Sequence, residues 1–147
     1  MAVATTMLVG CFGDDHDDVQ GTWLSDSFGA KSCEEELTFD QGNFISTIYC
    51  DLGDEKVGSV GTQISAGNYT RTESGVVVTP DRSTCPGATR KGDTWFVGIT
   101  RNKMMRQIGN VTTSFTRGHA AITNVKIQGC FDSDFQNFDE HPLLMLP

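Results

Sequence analysis

Apolar and polar residues alternate along most of the chain after residue 19. Residues 34–39 read Glu-Glu-Glu-Leu-Thr-Phe, and residues 94–100 read Thr-Trp-Phe-Val-Gly-Ile-Thr. A period of two sends successive side chains to opposite faces of an extended strand, whereas a helix needs apolar residues three and four apart. No stretch carries a convincing helical pattern. The alternation predicts strands at 20–25, 34–39, 44–51, 59–65, 69–73, 76–79, 94–100, 104–108, 111–117 and 121–130. Turn chemistry falls between many of them, at Asp40-Gln41-Gly42-Asn43, Gly53-Asp54, Ala66-Gly67-Asn68, Ser74-Gly75, Arg101-Asn102, Gly109-Asn110 and Arg117-Gly118. Short strands joined by sequential hairpins predict an all-β fold, an antiparallel up-and-down β-barrel of about eight to ten strands. Closing the sheet on itself also removes exposed strand edges. The longest irregular piece is 80–93, with Cys85-Pro86-Gly87 at its middle.

A length of 147 residues suits one domain. A formal net charge of −8 argues against a nucleic-acid partner. With 37% apolar and 20% charged residues, the chain is neither disordered nor a multispan membrane protein.

The N-terminal stretch changes this picture. An apolar run ends in Leu8-Val9-Gly10-Cys11. A run of this kind followed by a small residue and Cys resembles the lipobox of bacterial lipoproteins. The resemblance implies that Cys11 is the site of lipid attachment and that acyl chains anchor the mature protein to a membrane. Each buried CH2 contributes about 0.8 kcal/mol, so several chains hold where one would not. Asp14-Asp15-His16-Asp17-Asp18 then reads as a solvated, self-repelling tether. Acidic residues after a lipidated Cys are also similar to the surface-export signals of some bacterial lipoproteins. The expected address is therefore the bacterial outer membrane or cell surface, reached by export to the periplasm. The expected organisation is a signal remnant and tether over 1–18, a barrel over 19–131, and a tail over 132–147 that packs on the barrel.

Of the five Cys, four remain once Cys11 is set aside: Cys33, Cys50, Cys85 and Cys130. An even remainder in a small exported domain reads as two disulfides. If Phe39 faces Phe44 across the 40–43 turn, the same register sets Cys33 opposite Cys50, on the face that carries Leu37, Phe39, Phe44 and Ile48. That leaves Cys85 to pair with Cys130, tying a mid-chain loop to the last strand.

Gly21-Thr22-Trp23, then Leu37-Thr38-Phe39-Asp40-Gln41-Gly42-Asn43-Phe44, then Gly67-Asn68-Tyr69 and Val76-Val77-Val78-Thr79-Pro80, resemble in this order the opening of lipocalin-like bacterial lipoproteins. The likeness spans roughly residues 19–117. It implies a calycin-type barrel around a cavity or packed core, with Trp23 plugging the closed end and stacking on a basic residue. The Thr-Asp-Tyr motif of true lipocalins and a recognisable C-terminal helix are both absent.

Phe39, Phe44, Tyr69, Trp95 and Val97 are the candidate ligand-binding residues, since inward strand faces that build a core would also line an apolar pocket. Glu34-Glu35-Glu36 reads as a charge run on a strand whose alternate members point outward, serving solubility and edge protection rather than general acid chemistry. His16, His119 and His141 fall in the tether, a turn and the tail, and no nucleophile motif or His-Glu-x-x-His accompanies them. No catalytic residue, metal site or cofactor is expected. Residues 1–70 hold 12 acidic and 2 basic groups, whereas 71–126 hold 9 basic and 3 acidic. Arg82, Arg90, Lys91, Arg101, Lys103, Arg106 and Arg117 could thus form a basic rim, although mutual neutralisation with the acidic segments is the simpler reading. Phe131, Phe135 and Phe138, with the apolar 143–146, are expected to pack on the barrel. The sequence points to a binding protein that is not an enzyme. It would be anchored to the envelope and capture a small apolar or amphipathic ligand. Recognition of an envelope protein through loops is the alternative.

Overall fold

A computed structural model of the protein describes residues 18–53, 57–86 and 92–145. Cys11, most of the acidic tether with His16, and Arg90 and Lys91 lie outside the described residues. The alternating segments form strands β1 (Gly21–Ser25), β2 (Glu34–Asp40), β3 (Asn43–Asp51), β4 (Ser59–Arg71), β5 (Gly75–Ser83), β6 (Asp93–Thr100), β7 (Lys103–Ile108) and β8 (Val111–Arg117). Each pairs antiparallel with its predecessor, and β8 returns to pair with β1 through Trp23↔Arg117. The result is a closed eight-stranded up-and-down barrel, compatible with a calycin-like architecture.

Three further strands decorate it. β9 (Val125–Phe131) runs parallel to the first part of β4, β10 (Phe138–Glu140) folds back on β9, and β11 (Leu144–Met145) pairs with the end of β5. Between β9 and β10 the chain reverses through a turn in which the Phe135 N–H donates to the Asp132 carbonyl (3.1 Å).

One local detail bears out the sequence pattern and one departs from it. The expected turn after β2 turns on Gln41 and Gly42, both at positive φ (46° and 84°), the two-residue geometry whose twist matches its strands, with Phe39 opposite Phe44. Residues 66–68 make no turn: β4 is one strand of 13 residues with a register shift at Ala66/Gly67. A Cβ on Gly67 would lie 2.1 Å from the Thr79 carbonyl oxygen. The glycine therefore serves the close approach of β5 at a bulge rather than a reversal of the chain.

The barrel interior is filled from the Trp23 end. Val19, Trp23, Leu37, Phe39, Phe44, Tyr69, Val76, Val78, Trp95, Val97, Met104 and Phe115 form one buried cluster. Trp23 is fully buried, its Nε1–H donates to the Val19 carbonyl (2.8 Å), and the Arg117 guanidinium lies 3.7 Å from its ring centroid. This is the closed end that the resemblance implied. A second cluster, Cys33, Cys50, Leu52 and Phe131 with Phe28, Ile48, Ile127, Phe135 and Phe138 around it, sits at the other end beneath β9 and β10. Both expected disulfides form: Cys33–Cys50, which the register set, lies within this cluster, and Cys85–Cys130, the remaining pair, ties the end of β5 to β9.

Candidate functional site

The two clusters leave a cavity of about 460 Å³ at the mouth of the barrel, opposite Trp23. Strand register explains its floor. The inward face of β2 carries Leu37 and Phe39, so period two also sends Glu35 inward. On β7 the same rule turns Arg106 inward between Met104 and Ile108. Barrel closure then brings the two together across 71 residues of sequence: Arg106 Nη1 donates to Glu35 Oε1 (2.8 Å) and Nη2 to Oε2 (2.7 Å).

Both side chains are about nine-tenths buried or more, with 10% of Arg106 and 6% of Glu35 exposed. Hydrogen bonds and rings complete their surroundings. Ser46 Oγ donates to Glu35 Oε1 (2.7 Å), and the Glu35 N–H donates to Ser25 Oγ (2.8 Å). The rings of Trp95 and Phe115 each have their centroid 4.9 Å from Arg106 Cζ, within cation–π range. One donor is left over: Arg106 Nε is buried and has no hydrogen-bond partner among the described residues. An unpaired buried donor costs about 1–3 kcal/mol, more on a charged group.

The walls come from the strand ends. Phe28, Ile48, Val111 and Phe135 supply apolar surface, while Asp26, Ser27, Thr112, Thr113 and Ser114 supply polar atoms. Phe28 is held by a reciprocal backbone pair with Cys33 (2.8 and 2.7 Å), so the Cys33–Cys50 disulfide anchors this wall. Phe135 meets Phe28 edge to face at 5.3 Å. Its backbone sits at φ 55°, a left-handed conformation that a bulky residue adopts only under tertiary constraint. The constraint is a turn built on Asp132, whose carboxylate accepts from the Gln136 N–H (2.8 Å) and from Asn137 Nδ2 (2.6 Å). These bonds, the Gln136 one foremost, hold the Asp132 carboxyl below its ordinary pKa of 3.8.

The five ligand-binding candidates from the sequence converge in the interior, but as packed core. Phe39 meets Tyr69 edge to face at 4.8 Å, and Phe44 meets Trp95 at 5.8 Å. Tyr69 lies beside the β2–β3 turn, its N–H donating to the Gly42 carbonyl (2.8 Å), far from the mouth along β4. Of the five, Trp95 lies against the floor through Arg106, and Val97 is the cross-strand partner of Arg106.

The alternation expected across Glu34-Glu35-Glu36 holds, with Glu34 and Glu36 half-buried, but the inward Glu35 is not there for solubility or edge protection: it is buried and paired. The signal for its inward placement was present in the register that set Cys33, Leu37 and Phe39 on one face. The basic rim is absorbed in part: Arg106 pairs with Glu35, Arg82 with Asp81 (3.2 Å), and Arg117 donates to the carbonyls of Asp18 and Gln20. His119 is exposed, 3.8 Å from Glu36 Oε2, and among the described residues no histidine lines the mouth cavity. Among the described residues no group of three or more His, Cys, Asp or Glu is placed to hold a metal ion. No protein-family model, no curated protein and no solved structure matches the chain.

Proposed function

We propose that this protein is a binding protein of the bacterial envelope. It captures a small amphipathic molecule in the mouth of its barrel and is anchored through lipid on Cys11. One observation carries the reading: a cavity of about 460 Å³, within the range of small-molecule sites, with an aromatic wall and a buried, hydrogen-bonded ion pair as its floor. A buried ion pair is a poor way to add stability. Replacing such a pair by apolar residues of similar volume is often neutral or stabilising, by about 1–4 kcal/mol. Its presence beside the cavity supports a role in recognition.

The two disulfides support an oxidising compartment, in keeping with the lipobox-like Leu8-Val9-Gly10-Cys11. The test is native mass spectrometry of the protein purified from envelopes of a bacterial host. The reading expects an acyl mass on Cys11 and a small-molecule adduct that is released by organic solvent. An unacylated Cys11 removes the anchor, and an adduct-free protein whose mouth resonances ignore added amphiphiles removes the ligand.

A second reading rests on the filled interior around Phe44 and Trp95. It is recognition of an envelope protein through the loops at the mouth, and it gains if the adduct is missing.

A further inference from the structure

The barrel closes between β1 and β8, but the two strands do not pair along their full length. β1 matches β8 from Trp23↔Arg117 to Ser25↔Phe115, and one further bond runs from the Asp26 N–H to the Ser114 carbonyl (3.2 Å). Residues 111–113 pair with β7 alone. Period two fixes which way their backbone groups point. Ser114 and Gly118 bond toward β1, to Asp26 and Thr22, whereas Arg117 bonds to Asn102 beside β7. Thr112 therefore turns both its N–H and its C=O to the open side, and neither has a partner among the described residues.

This open edge borders the mouth, since residues 111–114 line the cavity together with residues 26–28, where the chain leaves the line of β1. An unpaired edge is a template for another strand, and proteins commonly blunt it with Lys or Pro. Neither stands at 111–114, and Val111 is an exposed apolar residue instead. We propose that the mouth binds an extended segment of a partner protein, which adds to β8 where β1 stops. One residue of that segment exchanges both backbone bonds with Thr112. Its neighbours then turn to the inner face, where Phe28, Ile48 and Phe135 offer apolar surface. Charge selects the residue opposite Thr112. Glu35 and Arg106 hold each other, so Asp26 is the ionisable group of the lining without an ion-pair partner among the described residues. The register puts Asp26 beside Ser114, on the outer face that Thr112 shares, so a basic residue suits this position. The proposal rests on the second reading above, protein recognition at the mouth, and deepens it by naming the bonds and the kind of segment.

The test uses three peptides: acetyl-Leu-Lys-Leu-Lys-Leu-amide, its glutamate counterpart acetyl-Leu-Glu-Leu-Glu-Leu-amide, and a copy of the first N-methylated at every residue. Each is titrated into the disulfide-intact protein while proton–nitrogen spectra follow the Thr112 amide alongside the resonances of Phe28, Ile48 and Phe135. The lysine peptide is expected to move both sets at the same concentrations, with the Thr112 N–H going downfield and exchanging more slowly with solvent. The methylated copy is expected to bind about tenfold more weakly. The glutamate peptide is expected to bind about two- to fivefold more weakly, a gap that closes in Asp26→Asn. Thr112→Pro removes the donor on the open side and spares the β7 ladder. It is expected to weaken the lysine peptide about fivefold while keeping the barrel's dispersed amide spectrum. Movement of Phe28, Ile48 and Phe135 with a silent Thr112 amide would overturn strand addition and leave recognition at the mouth standing. So would a methylated copy that binds as tightly as its parent. Equal binding of the lysine and glutamate peptides would overturn the choice of a basic residue. Silence of all these resonances with every peptide would overturn protein recognition at the mouth itself. The wild-type titrations decide even if the proline variant fails to fold.

Discussion

Glu35 on β2 and Arg106 on β7 form a bidentate ion pair at 2.7–2.8 Å, almost entirely removed from water. The pair joins opposite sides of the barrel and floors its mouth. Its energetics are asymmetric, because breaking it strands a charge whereas replacing it does not. Arg106→Met alone should lower the unfolding free energy by about 3–5 kcal/mol. The double substitution Glu35→Leu with Arg106→Met should cost far less than the two single changes together. Urea denaturation of the four proteins of the cycle measures the coupling, and additivity would show that the pair does not act as a unit.

The closed end offers a backbone test. Gly21 has φ 110°, and a Cβ there would collide with Arg117 Nη1. Gly21→Ala combines that clash with a left-handed strain, for a loss of about 1–3 kcal/mol. Arg117→Ala removes the cation from the Trp23 ring and two donors from the Asp18 and Gln20 carbonyls. Its expected signature is a rise in Trp23 solvent accessibility by fluorescence quenching while β2 to β7 keep their exchange protection.

Reduction should loosen the two disulfides unequally in space. Cys85–Cys130 closes a separation of 45 residues and ties β9 to the end of β5, so replacing both cysteines by Ala should cost about 2–4 kcal/mol. Hydrogen exchange should rise first in β9, β10 and the Phe135 turn, with the Trp23 end unchanged. Uniform loosening of the whole barrel would contradict the division into two clusters.

Acid should act on the mouth through Asp132. Its folded-state pKa is depressed, chiefly by the Gln136 N–H and then by Asn137, so its contribution is present above the ordinary value of 3.8 and is lost as pH falls through the lower folded value. The Asp132 carboxyl resonance should titrate below 3.8, and the Phe135 ring should lose its fixed contact with Phe28 over the same range. A normal titration midpoint would show that the turn does not hold the carboxylate.

Much of the architecture was legible in the sequence because strands and hairpins are local. Alternation marked the barrel strands, and the 40–43 turn set the register that places Cys33 across from Cys50. The Ala66-Gly67-Asn68 segment misled because glycine serves a turn and a close strand approach equally well, and only the position of Thr79 decides which. The alternation of the glutamate run was legible, but the partner of the inward Glu35 was not, because Arg106 lies 71 residues away in sequence.

The chain's own pattern determined that the protein is a closed all-β barrel stapled by two disulfides, since period, turn residues and cysteine register are properties of neighbouring positions. Tertiary structure alone decided where the mouth lies and what floors it. The meeting of Glu35 with Arg106, the parallel docking of β9 on β4, and the wall made by Phe135 all depend on how far the strands are staggered when the barrel closes. That stagger is a sum over every strand pair, so no single stretch of sequence carries it.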